Sequence, residues 1–273
     1  MPYLIIIRPL NCLFVAFSVF FGAFYHSSFS NFSPVLFAMI SASMIAGAGY
    51  VINDFFDLPI DSVNKPERVL PAGKISPKTA YIFSLILFIL GIAISFLTQN
   101  IFCVFIAVFN SLLLFLYARF FKMSFLTGNF LVAFAAGSTF IYGGLSGENL
   151  INGVIVALFA FLYTLIREFI KDGEDIEGDS NAGANTMAVL YGRKNSVLVS
   201  ILPALGIIVF TYYLFQLKLM ILDTFIMMNL LISVPLTIFI IYLLLNINKK
   251  SFSRISSLIK LDMFLLLIIL WVG

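Results

Sequence analysis

The sequence predicts an all-α, polytopic membrane protein in which nine transmembrane helices form one bundle with the active site at the cytoplasmic side. The first observation is composition, because hydrophobic residues make up 62% of the 273 residues and charged residues only 11%. Soluble proteins contain roughly 45–50% and about 25% of these classes, so a soluble globule of this size would lack the charges to cover its surface. The second observation is that apolar residues occur in stretches of about 20, the length that a helix needs to cross a bilayer. The net charge of only +3 excludes the basic surface of a nucleic-acid-binding protein.

Nine apolar stretches predict the helices, and the loops between them are too short for a separate soluble domain. We therefore expect residues 1–273 to form a single membrane domain. The predicted spans are Leu10–Phe29, Pro34–Ile52, Thr79–Thr98, Ile101–Ala118, Ser124–Ser146, Leu150–Ile166, Val197–Leu217, Ile221–Ile247 and Ile255–Val272. Arg8 precedes the first span as it would in a signal peptide. That span has no convincing cleavage site and eight more follow it, which indicates a retained helix.

Lysine and arginine placement predicts the orientation. If nine helices alternate in direction, 15 of the 16 Lys and Arg residues fall on one side and only Lys218 on the other. Basic loops stay in the cytoplasm, so we expect a multi-pass protein of the cell membrane with a cytoplasmic N-terminus and the C-terminus on the opposite face. Ten of the 13 carboxylates lie in two loop regions on this same side.

The first group of carboxylates continues the second predicted span. Asp54, Asp57 and Asp61 stand at i, i+3 and i+7, so on a helix they lie within about 60° of arc. Pro59 stands inside this stretch and is expected to disturb the turn before Asp61. We call these three aspartates the first cluster.

The second group continues the sixth predicted span. Acidic residues at i, i+4, i+7 and i+11 share one helical face: Glu168, Asp172, Asp175 and Asp179. We call these four the second cluster. Glu174 and Glu177 point away from this face and are expected to be solvated.

Each cluster places like charges side by side, and these repel one another unless a cation compensates them. Mg²⁺ prefers oxygen ligands and is held by one or two carboxylates together with substrate phosphates. We therefore expect the two clusters to face each other across the bundle and to hold two Mg²⁺ ions over a diphosphate. Basic residues that could bind phosphate oxygens lie beside or between the clusters in sequence: Lys65, Arg68, Lys122, Arg167 and Lys171. A single acidic run is usually a solvated surface, but two one-faced clusters that each continue an apolar helix favour a metal–diphosphate site.

The two clusters also resemble the motifs of a known family. Asn53-Asp54-x-x-Asp57-x-x-x-Asp61 resembles the first motif of the UbiA superfamily of intramembrane prenyltransferases, and Asp175-x-x-x-Asp179 resembles the second. Asn64-Lys65-Pro66-x-Arg68 resembles the segment after the first motif, although Val69 stands where that family usually has proline. The resemblance covers essentially the whole chain and implies the nine-helix fold.

The resemblance implies Mg²⁺-dependent ionisation of a prenyl diphosphate donor in a site that excludes water. The implied catalytic residues are Asp54, Asp57, Asp61, Asp175 and Asp179. The implied metal ligands are Asn53, Asp54, Asp57, Asp61, Asp172, Asp175 and Asp179. The implied diphosphate-binding residues are Arg68, Lys122 and Lys171. Membrane lipid is expected to surround the prenyl chain, and no nucleic acid partner is expected.

Further segments resemble the branch of this family that makes ether lipids. They are Arg8-Pro9-x-Asn11-Cys12, the run from Lys171 to Asp179, and Asn110, Tyr117, Lys122 and Gly128-Asn129. This resemblance implies transfer of a geranylgeranyl group from its diphosphate to geranylgeranylglyceryl phosphate. It makes Arg8, Asn11, Asn110 and Tyr117 the candidates for binding this lipid-phosphate acceptor. The alternative roles are a positive-inside anchor for Arg8, a helix contact for Asn11, an interhelical hydrogen bond for Asn110 and an interfacial aromatic for Tyr117.

Other functions fit the sequence less well. Within the family, the alternative acceptor is an aromatic compound of quinone biosynthesis. Outside it, a nine-helix protein with carboxylates near the membrane can be a transporter or channel, but we see no internal repeat of the kind that transporters carry. A non-catalytic scaffold is disfavoured because both motifs are intact.

Overall fold

Helices make up the regular secondary structure of the computed structural model, which describes residues 1–26 and 31–273 and has no strand within those ranges. The helices are α1 (Pro2–Ile6), α2 (Pro9–Phe24), α3 (Phe32–Phe56), α4 (Leu58–Asn64), α5 (Pro77–Ser95), α6 (Ile101–Leu116), α7 (Thr127–Ser146), α8 (Leu150–Asn181), α9 (Met187–Gln216), α10 (Leu222–Met228), α11 (Val234–Leu245) and α12 (Lys249–Val272). A 3₁₀ turn at Phe96–Thr98 extends α5, and π-helical turns at Tyr117–Phe121 and Asn229–Ser233 follow α6 and α10. The all-α class is confirmed.

Eight helical segments in the described part of the chain are long and apolar enough to cross a membrane, and they correspond to the second through ninth predicted spans. The first predicted span, Leu10–Phe29, corresponds to α2, which has 16 residues. Residues 27–29 of that span lie outside the described residues. The number of nine crossing helices therefore stays a prediction.

Polar side chains cap the start of several helices by accepting a hydrogen bond from a backbone N–H of the first turn. These caps are Asn31 for α3, Ser76 for α5, Asn100 for α6, Thr186 for α9 and Asn248 for α12. The predicted spans cover only the apolar parts of their helices. α8 runs past Ile166 to Asn181, as the helical spacing of the second cluster predicts. α9 begins at Met187, but the backbone of Gly192 is not helical, so the continuous helical path that contains Val197 begins after Gly192. Apolar composition marks the part of a helix that lies in hydrocarbon, whereas its backbone hydrogen bonds continue into the polar region.

The chain divides into two compact units, of which the first comprises Met1–Lys122 and Ala135–Ala157. Buried side chains of α2, α3, α5 and α6 form its core: Val19, Ala38, Ile45, Ile52, Phe88 and Ala107. Within the same core the hydroxyl of Tyr142 donates a hydrogen bond to Ser41 Oγ over 2.8 Å. This unit contains the first cluster.

The second unit comprises Met123–Phe134 and Leu158–Gly273 and contains the second cluster. Ala133, Leu165 and Phe169 are buried together in its core. The Tyr163 hydroxyl donates a hydrogen bond of 2.6 Å to Asp262 Oδ2, and both residues are buried. Asp262, a carboxylate outside the two clusters, thus links α12 to α8. The single domain that we expect over residues 1–273 stays a prediction.

Candidate active site

The first cluster lies where α3 passes into α4. α3 ends at Phe56, Asp57 stands between the helices, and Pro59 occupies the first turn of α4, so the disturbance expected from this proline is confined to one residue. Helical hydrogen bonding nevertheless continues across the break, because Asp57 N–H donates to Asn53 O (2.9 Å) and Asp61 N–H donates to Asp57 O (2.8 Å). The three aspartates are only 5–8% exposed. Buried carboxylates need compensating charge or hydrogen bonds.

Two arginines supply part of that compensation. Arg8 Nη2 lies 2.5 Å from Asp54 Oδ1, and Arg68 Nη1 lies 2.6 Å from Asp61 Oδ2 and 3.6 Å from Asp54 Oδ1. The Arg8 guanidinium also lies 5.1 Å from the centre of the Tyr50 ring, a cation–π contact. Arg8 has no acidic neighbour in the sequence, yet the fold places it on a carboxylate 46 positions away.

The third aspartate is compensated by Lys122. The Lys122 ammonium donates to Asp57 Oδ2, and Asn53 Nδ2 donates to the same oxygen over 2.8 Å. Lys122 directly follows the π-helical turn Tyr117–Phe121, and its N–H donates to Tyr117 O, five residues back. Such widened turns re-aim side chains and are frequent at functional sites.

The side-chain oxygen of Asn53 is a buried hydrogen-bond acceptor with no donor among the described residues. A buried acceptor without a donor is costly, so it indicates a group that the bare chain does not supply. An amide oxygen beside carboxylates is a ligand set that suits Mg²⁺. The residues of the first cluster therefore fit the expected metal.

The second cluster lies on the polar end of α8. Asn129, in the first turn of α7, donates from Nδ2 to Asp172 Oδ2 over 2.9 Å. Lys171 Nζ lies 3.0 Å from Asp175 Oδ2, and Arg167 Nη1 lies 2.5 Å from Glu168 Oε1. Asp172, Asp175 and Asp179 are all partly exposed. Carboxylates that remain open to solvent on one helical face suit a metal that enters with its substrate.

The carboxylates are not arranged as a ready-made metal site. Across residues 1–26 and 31–273, no three His, Cys, Asp or Glu side chains lie close enough together to hold an ion as they stand. The carboxylates of the first cluster contact basic side chains and Asn53, and Asp172 and Asp175 of the second contact Asn129 and Lys171. The prediction that the two clusters face each other stays a prediction.

Glu177 is exposed, as its place on the face opposite the second cluster predicts, but it also forms ion pairs that the sequence did not predict. Its carboxylate accepts from Arg193 Nη2, and Lys249 Nζ lies 3.3 Å from Glu177 Oε2. Arg193 Nε also donates to the backbone oxygen of Gly173 over 2.8 Å. The sequence did not reveal these contacts, because α9 and α12 supply the basic side chains.

The candidates for acceptor binding differ in their surroundings. Asn110 is buried and exchanges hydrogen bonds with Ser138, from Nδ2 to Oγ over 2.9 Å and from Oγ to Oδ1 over 3.1 Å. This is the interhelical contact that we considered as its alternative role. Asn11 and Tyr117 are half-buried, the former in the first turn of α2 and the latter at the start of a π-helical turn. Acceptor binding by these residues stays a prediction.

Asn129 belongs to this site although the sequence did not predict a role for it. It is 7% exposed, and its amide binds a carboxylate of the second cluster. The signal available in the sequence was its place in Gly128-Asn129, one of the segments that resemble the ether-lipid branch. A polar residue at a helix start is so common that this signal did not identify its partner.

Several curated relatives of this chain carry the same name. The chain is 43% identical over 202 residues to the digeranylgeranylglyceryl phosphate synthase of Methanococcus aeolicus, covering 73% of this chain and 71% of the relative. It is 34% identical over 286 residues to the synthase of the same name from Methanobrevibacter smithii, covering 100% and 97%.

Solved structures agree with these relatives. A structure of digeranylgeranylglyceryl phosphate synthase superposes with a TM-score of 0.88 at 33% identity, covering 100% of this chain and 97% of that one. A UbiA homologue from Archaeoglobus fulgidus bound to DMAPP and Mg²⁺ superposes with a TM-score of 0.70 at 17% identity, covering 98% and 99%, which shows the shared fold. The model of the UbiA prenyltransferase family matches residues 13–268. This chain therefore belongs to the UbiA prenyltransferase family and is a multi-pass membrane prenyltransferase.

Proposed function

We propose that this protein transfers a geranylgeranyl group from its diphosphate to geranylgeranylglyceryl phosphate, which forms an ether-lipid precursor. Both clusters hold Mg²⁺ in this proposal, with two ions in all. Relatives that carry the synthase name at 34–43% identity support the substrates. The main structural support for the reaction is the first cluster, in which three buried aspartates are paired with Arg8, Arg68 and Lys122. The A. fulgidus homologue bound to DMAPP and Mg²⁺ supports the choice of metal.

The pairing of acids with bases suits a site that binds a metal and a diphosphate together. Mg²⁺, when bound, supplies Lewis-acid charge to the departing diphosphate. Asn53, Asp54, Asp57 and Asp61 are its ligands in the first cluster, and Asp172, Asp175 and Asp179 in the second. Basic side chains released from the carboxylates then donate to phosphate oxygens.

Arg68, Lys122 and Lys171 are the proposed diphosphate-binding residues. Each contacts a carboxylate of one of the clusters, so each lies within reach of the proposed ligands. Their fixed charge stabilises the diphosphate as the allylic C–O bond breaks and its electron pair moves to the leaving oxygen. The acceptor's free hydroxyl oxygen then forms a bond to the allylic carbon, and its proton passes to an oxygen of the released diphosphate. Water must be excluded until then, because it would capture the same carbon.

The acceptor is tested in two parallel incubations. Purified protein is incubated with Mg²⁺, labelled geranylgeranyl diphosphate and either geranylgeranylglyceryl phosphate or an aromatic acid. We expect a labelled diether phosphate from the glyceryl phosphate and no labelled product from the aromatic acid. Prenylation of the aromatic acid alone would replace the ether-lipid proposal with the quinone-type reaction.

Arg8 is proposed to bind the phosphate of the acceptor. Its backbone is left-handed (φ 54°), a conformation that Asn tolerates better than Ala, so the test variant is Arg8→Asn. A charge-assisted contact contributes about 1.5–3 kcal/mol, so the acceptor KM should rise roughly ten- to hundredfold while the donor KM changes little. Steady-state kinetics with each substrate varied in turn measures both constants.

Two further variants sharpen the Arg8 test. Arg8→Lys keeps the charge and should restore part of the acceptor affinity. Arg119→Asn is the matched control, because Arg119 is exposed and stacks on the rings of Phe56 and Phe120. A rise in the donor KM alone for Arg8→Asn would assign Arg8 to the donor subsite instead.

We also propose that the N-terminus and the active site face the cytoplasm, with the C-terminus on the opposite face. The basic residues of the predicted loops support this orientation. A cysteine at Lys74 should react with an impermeant thiol reagent only from the cytoplasmic side, and one at Glu148 only from the other. The native thiols, Cys12 and Cys103, are buried and should give little background. Labelling of both introduced cysteines from one side would contradict the predicted number of crossings between them.

A further inference from the structure

We propose that Arg193 is a positioning residue that holds the polar end of α8 in shape, so that it sets the metal affinity of the second cluster. Lys249 and Phe252 of α12 act with it. This inference rests on the proposed function, because it takes Asp172, Asp175 and Asp179 as metal ligands. It assigns a role to residues outside both motifs.

The polar end of α8 needs external support. Gly173 and Gly178 lie inside this helix, and each glycine there is about 1 kcal/mol less favourable than alanine. Carboxylates at i, i+4 spacing along the same stretch repel one another. An isolated helical end with this sequence would fray, and frayed ligands bind a metal weakly.

Arg193 bridges one turn of this stretch. Its Nε donates to Gly173 O over 2.8 Å, and its Nη2 donates to the Glu177 carboxylate. Gly173 and Glu177 are four residues apart, and Asp175 lies between them in the chain. The guanidinium therefore fastens the backbone at one end of the turn and a side chain at the other.

The backbone around Gly192 lets Arg193 reach α8. Gly192 has φ 84° and ψ 164° and interrupts the helical path of α9 directly before Arg193. A positive φ is accessible to glycine at little cost but strains other residues. The Arg193 side chain is only 21% exposed, so its guanidinium interacts mainly with α8 rather than with solvent.

The first turn of α12 supports the same turn of α8. Lys249 Nζ lies 3.3 Å from Glu177 Oε2, which gives this carboxylate a second cation. Phe252 is fully buried, and its ring occupies the place that a Cβ on Gly173 would need. The Ser196 Oγ lies 2.8 Å from the same position. Gly173 therefore allows Phe252 and Ser196 to pack closely against α8, while Arg193 and Lys249 place positive charge beside Glu177.

Arg193 and Lys249 contact α8 without touching the proposed metal ligands on its other face. Asp172 receives its hydrogen bond from Asn129, and Asp175 pairs with Lys171 on its own helix. Arg193 bonds to the backbone of Gly173 and to Glu177, neither of which is a proposed ligand. Its influence on the metal is therefore indirect and acts through the shape of the helix.

The experiment measures metal binding directly. Purified protein is titrated with Mn²⁺ alone and followed by electron paramagnetic resonance, in an Asp57→Asn background that weakens the first cluster. Arg193→Gln should raise the Mn²⁺ Kd about tenfold, a usual size for removing a residue that orients metal ligands. In the native background the Mg²⁺ concentration for half-maximal turnover should rise by a similar factor. Arg193→Lys keeps a positive charge beside Glu177 but cannot contact Gly173 O and Glu177 at the same time. Its effect on the Mn²⁺ Kd should therefore be intermediate.

Matched variants separate positioning from simple loss of stability. Arg254→Gln removes an exposed arginine of α12 and should leave the Mn²⁺ Kd unchanged. Glu177→Gln leaves the bond from Arg193 to Gly173 in place and tests the ion pair even if Arg193→Gln does not fold. It should raise the Mn²⁺ Kd by a smaller factor than Arg193→Gln.

The outcomes distinguish this inference from the proposed function. A lower melting temperature with native Mn²⁺ Kd for both Arg193→Gln and Glu177→Gln would overturn the positioning role. A different result would be that both variants bind Mn²⁺ more weakly while the wild-type protein forms no prenylated lipid. This result would uphold the metal site and overturn the proposed reaction.

Discussion

Asp57→Asn and Asp175→Asn should each lower kcat for prenyl transfer by about three orders of magnitude or more. Each change removes a proposed metal ligand, and charge stabilisation by a metal contributes several kcal/mol to such a step, with about 1.4 kcal/mol for each factor of ten. In the first cluster the change also deprives Lys122 of the carboxylate that it contacts. Asn has nearly the same shape as Asp, so the protein should remain folded. Release of diphosphate from labelled donor at saturating substrates measures the loss.

The controls for this prediction use the remaining acids and the metal itself. Asp223→Asn changes an exposed carboxylate outside both clusters and should leave kcat near the native value. Chelation should abolish native turnover, and added Mg²⁺ should restore it. Native turnover by the folded double variant Asp57→Asn/Asp175→Asn would show that neither cluster holds a catalytic metal.

Gly143→Leu should prevent stable folding, because α2 and α7 cross at backbone contact. A Cβ on Gly143 would overlap the carbonyl oxygen of Val19, and a Cβ on Gly22 would overlap that of Phe140. Small residues allow such close approach between membrane helices. Backbone cannot move aside as a side chain can, so even Gly143→Ala should cost about 3 kcal/mol, the upper end for an overpacked core.

Thermal unfolding in detergent measures this effect. Cys12 and Cys103 are buried, so a thiol-reactive dye reports unfolding without added labels. A cost of about 3 kcal/mol corresponds to a melting temperature lower by about 6–12 °C for a chain of this size. Gly178→Ala is the control, since a Cβ there meets nothing within 4 Å, and it should be neutral or stabilising. A native melting temperature for Gly143→Ala would mean that α2 and α7 lie further apart than the structure places them.

Local patterns in the sequence predicted much of this architecture. Runs of apolar residues predicted the eight long helices found in residues 1–26 and 31–273, because the bilayer thickness sets the length of an apolar stretch that spans it. Spacing placed Asp54, Asp57 and Asp61 close together, because helical period is a property of the backbone. Apolar runs alone did not mark the polar turns that extend α8 to Asn181, whereas the one-faced spacing of the second cluster predicted them.

Partners distant in sequence depended on the tertiary structure. Asp54 pairs with Arg8 at a separation of 46 residues, and Asp57 with Lys122 at a separation of 65. Nothing in a local pattern says which of many basic residues reaches a given carboxylate, because that choice follows from how helices pack.

The same reasoning applies to the second cluster. Spacing placed Glu177 on the face opposite the proposed ligands, but it did not show that Arg193 and Lys249 bind it. Hydropathy and helical period predict an all-α membrane protein with two acidic helical faces, because both act over short stretches of chain. The packing of the helices selects the cations that reach Asp54 and Asp57, because these ion pairs require side chains from distant parts of the chain to meet within a few ångströms.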